Sequence, residues 1–302
     1  MAKKMSSFLI ALVILATAAS PFIATAMAEK PVVTDEEGYI QYVGTLGGAN
    51  YVIRIPDEWN GMLVVGCHKW MPFDWTPDAQ FAVDSLVNGD GVGLPFALIE
   101  QGFAYAASSY GEGGWPIKEA MIRTHQLTEY VIDNYGVTGK VLLIGHSMGG
   151  AIALLLGQKY PELYDGVLDI SAMRNTTMGY IDTVAAINNP AVPPAMKPRL
   201  LQMKADMEAE YGGTYDEKPK AYERLNPSSN AKISIPVVTV YGTIDMLTSP
   251  KQAASYGIAV AAAGCSEYYR LYKAIGGTHD NSVTVDASLS HFMELVDYPV
   301  GW

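Results

Sequence analysis

The stretch 141–158, VLLIGHSMGGAIALLLGQ, constrains this chain more than any other. Apolar or small residues at 141–145 run into Gly-His-Ser-Met-Gly, and a run that is first small and then apolar follows at once. Read physically, that is a strand, a turn too tight for ordinary side chains, and a helix. In Gly145-x-Ser147-x-Gly149 the flanking glycines let the chain pass close to itself and hold the serine at the tip of the turn. A serine so placed has an exposed hydroxyl above the positive end of a helix dipole. With 29 glycines in 302 residues, the five-residue pattern arises by chance roughly 0.15 times per chain, so its context decides.

The context is a chain long enough, with 49% hydrophobic residues, to bury a large core as one domain carrying an inserted cap. The formal net charge is −11, and loss of a segment holding Lys3 and Lys4 would make it −13. Such a surface repels phosphate backbones and anionic lipid, so neither a nucleic-acid partner nor electrostatic membrane docking is expected. Residues 1–28 read as an export signal: Lys3 and Lys4, an apolar stretch at 8–16, Pro21, and Ala26-Met27-Ala28 as a cleavage site. Cleavage after Ala28 would leave a secreted, periplasmic or cell-surface protein with no membrane segment. The alternative is an uncleaved anchor, since 8–28 carries no charge and is long enough to span.

Cys67 and Cys265 are the only cysteines, too few for a disulfide scaffold. Their expected places, near opposite edges of a parallel sheet, disfavour a disulfide. Neither C-x-x-C nor H-E-x-x-H occurs, so no metal site is read.

Along the chain, YIQYVGTL and NYVIRIP flank Gly47-Gly48 and predict an antiparallel hairpin over 39–56. Strands are expected at 62–66, 103–108, 140–145, 166–171, 235–241 and 267–274, with helices near 93–101, 116–136, 148–160, 251–263 and 285–296. This alternation implies a mostly parallel sheet. His125, within the second helix, reads as a packing residue. The segment 173–232 breaks the alternation with prolines at 190, 193, 194 and 198, a helical stretch near 197–211 and five of the fourteen methionines. It reads as a helical cap over the serine, methionine being suited to irregular packing.

A serine hydroxyl needs a base within hydrogen-bond reach and a carboxylate to orient that base. The strand 235–241 runs into Gly242-Thr243-Ile244-Asp245, and 267–274 runs into Gly276-Gly277-Thr278-His279. Ser147, Asp245 and His279 therefore each follow a strand of the sheet, and loops at those strand ends converge on one face.

IGHSMGG, VVTVYGTIDMLTSP and IGGTHD together resemble the nucleophile, acid and histidine segments of the α/β-hydrolase superfamily, near its esterases and lipases. The likeness covers most of 39–296. It implies the α/β-hydrolase fold: a mostly parallel central sheet with an N-terminal antiparallel hairpin, helices on both faces and a cap insertion at about 173–232. It also implies that Ser147 attacks an acyl carbonyl, His279 carries the proton and Asp245 holds the imidazole, with no metal or organic cofactor and a small-molecule ester as substrate. Asp169 is the rival acid, and Asp280 is expected to cap the following turn.

The resemblance further implies an oxyanion hole with the N–H of Met148 as one donor. The second comes from the loop after the third core strand, where Lys69 stands in place of the family's glycine. Trp70 is the expected donor, with Lys69 as the alternative. Trp75, Tyr110 and Trp115 follow predicted strands and are expected to line the substrate pocket. His68 shapes the oxyanion loop or is structural, and His146 packs beneath the elbow. Asn175-Thr176-Thr177 is a glycosylation acceptor if the source cell modifies such sites. An acyltransferase using the same acyl-enzyme, or a ligand-binding protein on this scaffold, are the competing readings.

Overall fold

Strands buried on both faces are mostly apolar, and five such segments make the middle of the sheet: β4 (Leu63–Cys67), β5 (Ala104–Ser108), β6 (Val141–His146), β7 (Gly166–Ile170) and β8 (Val237–Gly242). The computed structural model describes residues 29–72, 93–280 and 284–297. The expected export signal at 1–28 and Trp75 lie outside the described residues. Ahead of the middle strands come β1 (Val32–Glu36), β2 (Tyr39–Leu46) and β3 (Ala49–Pro56), and β9 (Tyr269–Ala274) follows. Among the described residues these form one nine-stranded sheet in the order β1-β2-β3-β5-β4-β6-β7-β8-β9.

Neighbours from β1 across to β5 are antiparallel, and those from β5 across to β9 are parallel. The expected hairpin is β2–β3, turning on Gly47 at φ +60 and Gly48 at φ +89, the two positive values that a tight right-twisted hairpin needs. The sequence reading misses β1. Its five residues are all exposed, so no buried face imposes a pattern, and Asp35 and Glu36 give the sheet a charged edge.

Successive strand residues point to opposite faces, and the helices divide accordingly. On one face, α1 (Leu94–Glu100) and α8 (Val285–Val296) bring Leu98, Ile99, Phe292 and Leu295 against Val64, Leu142 and Ile144. On the other, α2 (Ile117–Tyr135), α3 (Met148–Lys159) and α7 (Pro250–Ala262) cover Leu63, Val65 and Leu143. His125 on α2 stacks on Tyr160 with ring centres 3.9 Å apart, a packing place as the sequence suggests. Between β7 and β8 stand α4 (Thr176–Asn188), α5 (Lys197–Tyr211) and α6 (Pro219–Arg224).

Asn175 caps α4 by accepting from the Met178 N–H, and its Nδ2 donates to Ser255 Oγ at 3.1 Å, so the amide expected as a glycan acceptor is engaged in structure. Cys67 lies in the central strand β4 and not near an edge, while Cys265 precedes the edge strand β9; both thiols are free and buried. Burial pushes the Cys67 thiol up to about 12, against the pull of Thr124 and Tyr110. Among the described residues no helix is long and apolar enough to cross a membrane.

The strand order explains where the loops meet. β5 leaves β4 toward β3, whereas β6 returns to its other side, so the order reverses at β4 and β6, where a crevice opens at the strand ends. Cys67 faces Gly145 in that register, setting the loop after β4 beside the turn after β6.

Candidate active site

The turn after β6 places Ser147 at φ +59 and ψ −120, a backbone conformation that non-glycine residues rarely adopt. Local contacts hold it there. The Ser147 N–H donates to the Ile170 carbonyl at 3.1 Å, and the Ser147 carbonyl accepts from Met173 at 3.0 Å and Gly150 at 3.1 Å. The glycines answer to space: a Cβ on Gly145 would stand 2.3 Å from the Gly149 carbonyl oxygen, and one on Gly149 only 1.9 Å from the Cys67 oxygen. Ser147 is 8% exposed, enough for its hydroxyl to reach the cavity it helps to line.

His279 Nε2 lies 2.9 Å from Ser147 Oγ, and its Nδ1 lies 3.0 Å from Asp245 Oδ2. With the carboxylate accepting from Nδ1–H, the lone pair on Nε2 faces the serine hydroxyl. Asp245 is 3% exposed. Its Oδ1 accepts from the backbone of Leu247 and Thr248 at 2.8 and 2.9 Å. Burial alone would raise the Asp245 carboxyl, but the His279 hydrogen bond and charge, with the Thr248 bonds, hold it below its ordinary value. Asp245 therefore stays ionised beside the imidazole. The two loops meet because β8 ends at Gly242, where a Cβ would stand 2.3 Å from the Gly277 carbonyl oxygen.

The rival acid is elsewhere. Asp169, fully buried within β7, is bound by the Arg174 guanidinium and the Thr239 hydroxyl. Arg174 also donates to the Val240 carbonyl at 2.9 Å, so this pair clamps β7 to β8.

Two partners of the histidine escaped sequence reasoning. The Thr248 hydroxyl is 2.5 Å from Asp245 Oδ2 and 2.9 Å from the Ser171 carbonyl, donating to one at a time, and its oxygen is 3.2 Å from His279 Nδ1. The signal was local: threonine three residues after an aspartate at a turn is a capping pattern. His146 is the other. Its Nε2–H donates to the His279 carbonyl at 3.0 Å, so it anchors the histidine loop to the elbow as well as packing under it. Burial, then the charge of His279, lowers the His146 imidazole to about 3.

Met148 opens α3, and its N–H has no hydrogen-bond partner among the described residues. Across from it runs 67–70. His68 Nδ1–H donates to the Lys69 carbonyl at 2.8 Å, and burial lowers this imidazole to about 4. Tyr110 is fully buried, stacks on His68 with ring centres 3.9 Å apart, and donates its hydroxyl to the His68 carbonyl at 3.3 Å. The Trp70 indole N–H donates to Asp206 Oδ2 on α5 at 2.8 Å. Lys69 Nζ stands 3.5 Å from Asp280 Oδ1.

A cavity of about 70 Å³ opens over Ser147 and His279. Lys69, Trp70, Leu247 and Asp280 line it from the core, and Met196, Arg199, Leu200 and Met203 from the 173–232 segment. The expectation that Tyr110 and Trp115 line it is corrected: Tyr110 lies behind His68, and Trp115 is 2% exposed with its indole N–H on the Tyr211 hydroxyl at 3.1 Å. Both aromatics follow strands as expected, but their side chains turn into the packing beneath the loops. Asp280 faces Lys69 and the cavity, and the turn it is expected to cap, 281–283, lies outside the described residues. No group of acidic, histidine and cysteine side chains among the described residues is arranged to hold a metal ion.

A family model described as "Putative esterase" matches residues 99–282, a span that holds Ser147, Asp245 and His279. No curated protein matches the chain in sequence. Solved structures share the fold. An esterase of Pyrococcus furiosus superposes with TM-score 0.61 at 12% identity, over 92% of this chain and 93% of the other. Acetyl xylan esterase 1 of a Thermoanaerobacterium species gives TM-score 0.57 at 15% identity, over 89% and 88%. The acylaminoacyl peptidase of Pyrococcus horikoshii gives TM-score 0.59 at 12% identity, over 92% of this chain but 43% of the other. The chain thus spans about two fifths of the length of the peptidases it matches.

Proposed function

The chain belongs to the Esterase family, and from that premise we propose that it is an exported serine hydrolase that cleaves a short-acyl carboxylic ester through an acyl-enzyme on Ser147. The observation that carries this reading is the unbroken path from Ser147 Oγ to His279 Nε2 at 2.9 Å and from His279 Nδ1 to Asp245 Oδ2 at 3.0 Å. Ser147 Oγ attacks the ester carbonyl as His279 takes its proton. The tetrahedral oxyanion is met by the N–H of Met148 and of Trp70, Lys69 being the alternative, each donor contributing roughly 3 kcal/mol to the transition state. His279 then protonates the departing alcohol. Water, activated by the same imidazole, releases the acid.

The 173–232 segment acts in this reading as a lid: Leu200 and Met203 close the inner end of a cavity of about 70 Å³, which suits a short acyl chain better than a long one. Loss of residues 1–28 on export completes the mature enzyme.

Reaction with a fluorophosphonate probe tests the proposal. Wild-type protein should label at Ser147 and hydrolyse 4-nitrophenyl acetate faster than the matching anilide, and Ser147→Ala should do neither. Well-folded wild-type protein that fails to label would overturn the reading.

A further inference from the structure

The cavity over Ser147 carries two cations, Lys69 and Arg199, against one carboxylate, Asp280, in a chain of net charge −11. Lys69 is matched by Asp280 at 3.5 Å. Arg199 is not matched in this way: among the described residues it has no ion-pair partner, it acts on Asp280 only at longer range, and its guanidinium carbon stands 5.6 Å from the centre of the Trp70 ring.

Its place in the helix is also unfavourable. Lys197 and Arg199 both occupy the first turn of α5, which holds no acidic residue, so their charges oppose the positive end of the helix dipole. A local rule broken without local compensation points to a functional constraint. Burial supplies direction. Leu200 and Met203, 3% and 7% exposed, form the inner end of the cavity, whereas Met196 and Arg199 are exposed at its outer end. In the hydrolase reading, an acyl group held at the apolar inner end leaves the alcohol half at the outer end. A guanidinium there, over the indole of Trp70 at 5.6 Å and with no ion-pair partner among the described residues, is matched to the planar fork of a carboxylate.

Resting on the serine-hydrolase reading, we propose that the alcohol half of the substrate bears a carboxylate, and that Arg199 receives it at the mouth of the Ser147 cavity. Arg199 is thus a specificity-determining residue, and the substrates are esters of hydroxy acids acylated on the hydroxyl group.

The test compares 4-acetoxybenzoate with 4-acetoxybenzamide, which differ in charge at one position, together with fluorophosphonate labelling of the wild type. Wild-type protein should favour the acid in kcat/KM by about tenfold, mainly through KM, and the preference should shrink toward about 0.5 M salt as the charge pair is screened. Arg199→Met should bring the ratio to about one and Arg199→Lys should keep part of it, with circular dichroism and melting temperature reporting that each variant is folded. Labelled wild type with a ratio near one, or a preference that survives Arg199→Met, overturns this inference alone. Absence of labelling at Ser147 overturns the hydrolase reading and this inference with it.

Discussion

The indole of Trp70 and the carboxylate of Asp206 are joined at 2.8 Å, with both residues buried. The bond ties the loop beyond β4 to α5, joining the segment expected to cap the site to the loop expected to complete the oxyanion hole. Asp206 is fixed in turn by Gln202, whose Nε2 donates to Oδ1 at 2.8 Å. Removing the acceptor leaves a buried indole N–H unsatisfied, at a cost of about 1–3 kcal/mol.

Asp206→Leu should therefore lower kcat on a short aryl ester by about tenfold with little change in KM, because a donor that drifts from the oxyanion is missed in the transition state. Asp206→Asn keeps an acceptor and should lose less. Steady-state kinetics on folded variants decides, and equal, wild-type kcat in both would reduce the bond to a packing role.

The carboxylates of Asp245, in the loop after β8, and of Asp169, within β7, should separate cleanly. Asp245→Asn should cut kcat by roughly 10³–10⁴, since an amide no longer favours the Nδ1–H tautomer. Asp169→Asn should act on the fold, because it leaves the buried Arg174 charge without its partner, at about 3–5 kcal/mol. Activity per mole of folded protein, set beside urea unfolding, distinguishes the two effects.

Gly149→Ala should abolish probe labelling, as the new Cβ would sit 1.9 Å from the Cys67 carbonyl oxygen and 2.6 Å from that of His68. Gly38→Ala is the control. Its φ is +85 but nothing lies within 4 Å of the added carbon, so only backbone strain of about 1–2 kcal/mol is expected and labelling should persist.

Acid should weaken the fold through two buried histidines. Unfolded, His68 and His146 take up protons below about pH 6.5, whereas folded they resist until about 4 and about 3. Between those limits the unfolded chain holds more protons, so stability falls as pH falls, by up to about 2 kcal/mol per histidine at pH 5. Asp245 adds a second loss at lower pH, since its depressed carboxyl stabilises the fold above about 3.9 and that contribution disappears as pH drops through its folded value. The urea midpoint should be lower at pH 5 than at pH 7.5, and His68→Asn should narrow the gap. Equal midpoints in wild-type protein would contradict the burial of both rings.

Most of the elements were legible because their signals are local. Apolar runs at 62–66, 141–145 and 235–241, bounded by turn residues, read as strands buried on two faces, and the glycines around Ser147 in that context marked a turn with no room for Cβ. The loops holding Ser147, Asp245 and His279 followed from those strands, since parallel strands end on one side of a sheet. What failed was side-chain direction. Tyr110 and Trp115 sit where strands end, but whether an aromatic faces a cavity or a neighbour depends on what packs beside it.

The sequence by itself determined the alternation of elements, the elbow and the order of the serine, aspartate and histidine segments, because residue period and glycine placement act over a few positions. The tertiary structure alone decided that Asp169 is spent on Arg174, that His146 holds the His279 loop, that Asp206 holds Trp70, and that Arg199 reaches the cavity. These contacts join residues up to 136 positions apart. Such contacts are set by the strand order and by how the 173–232 helices settle on the sheet, and no local pattern encodes either.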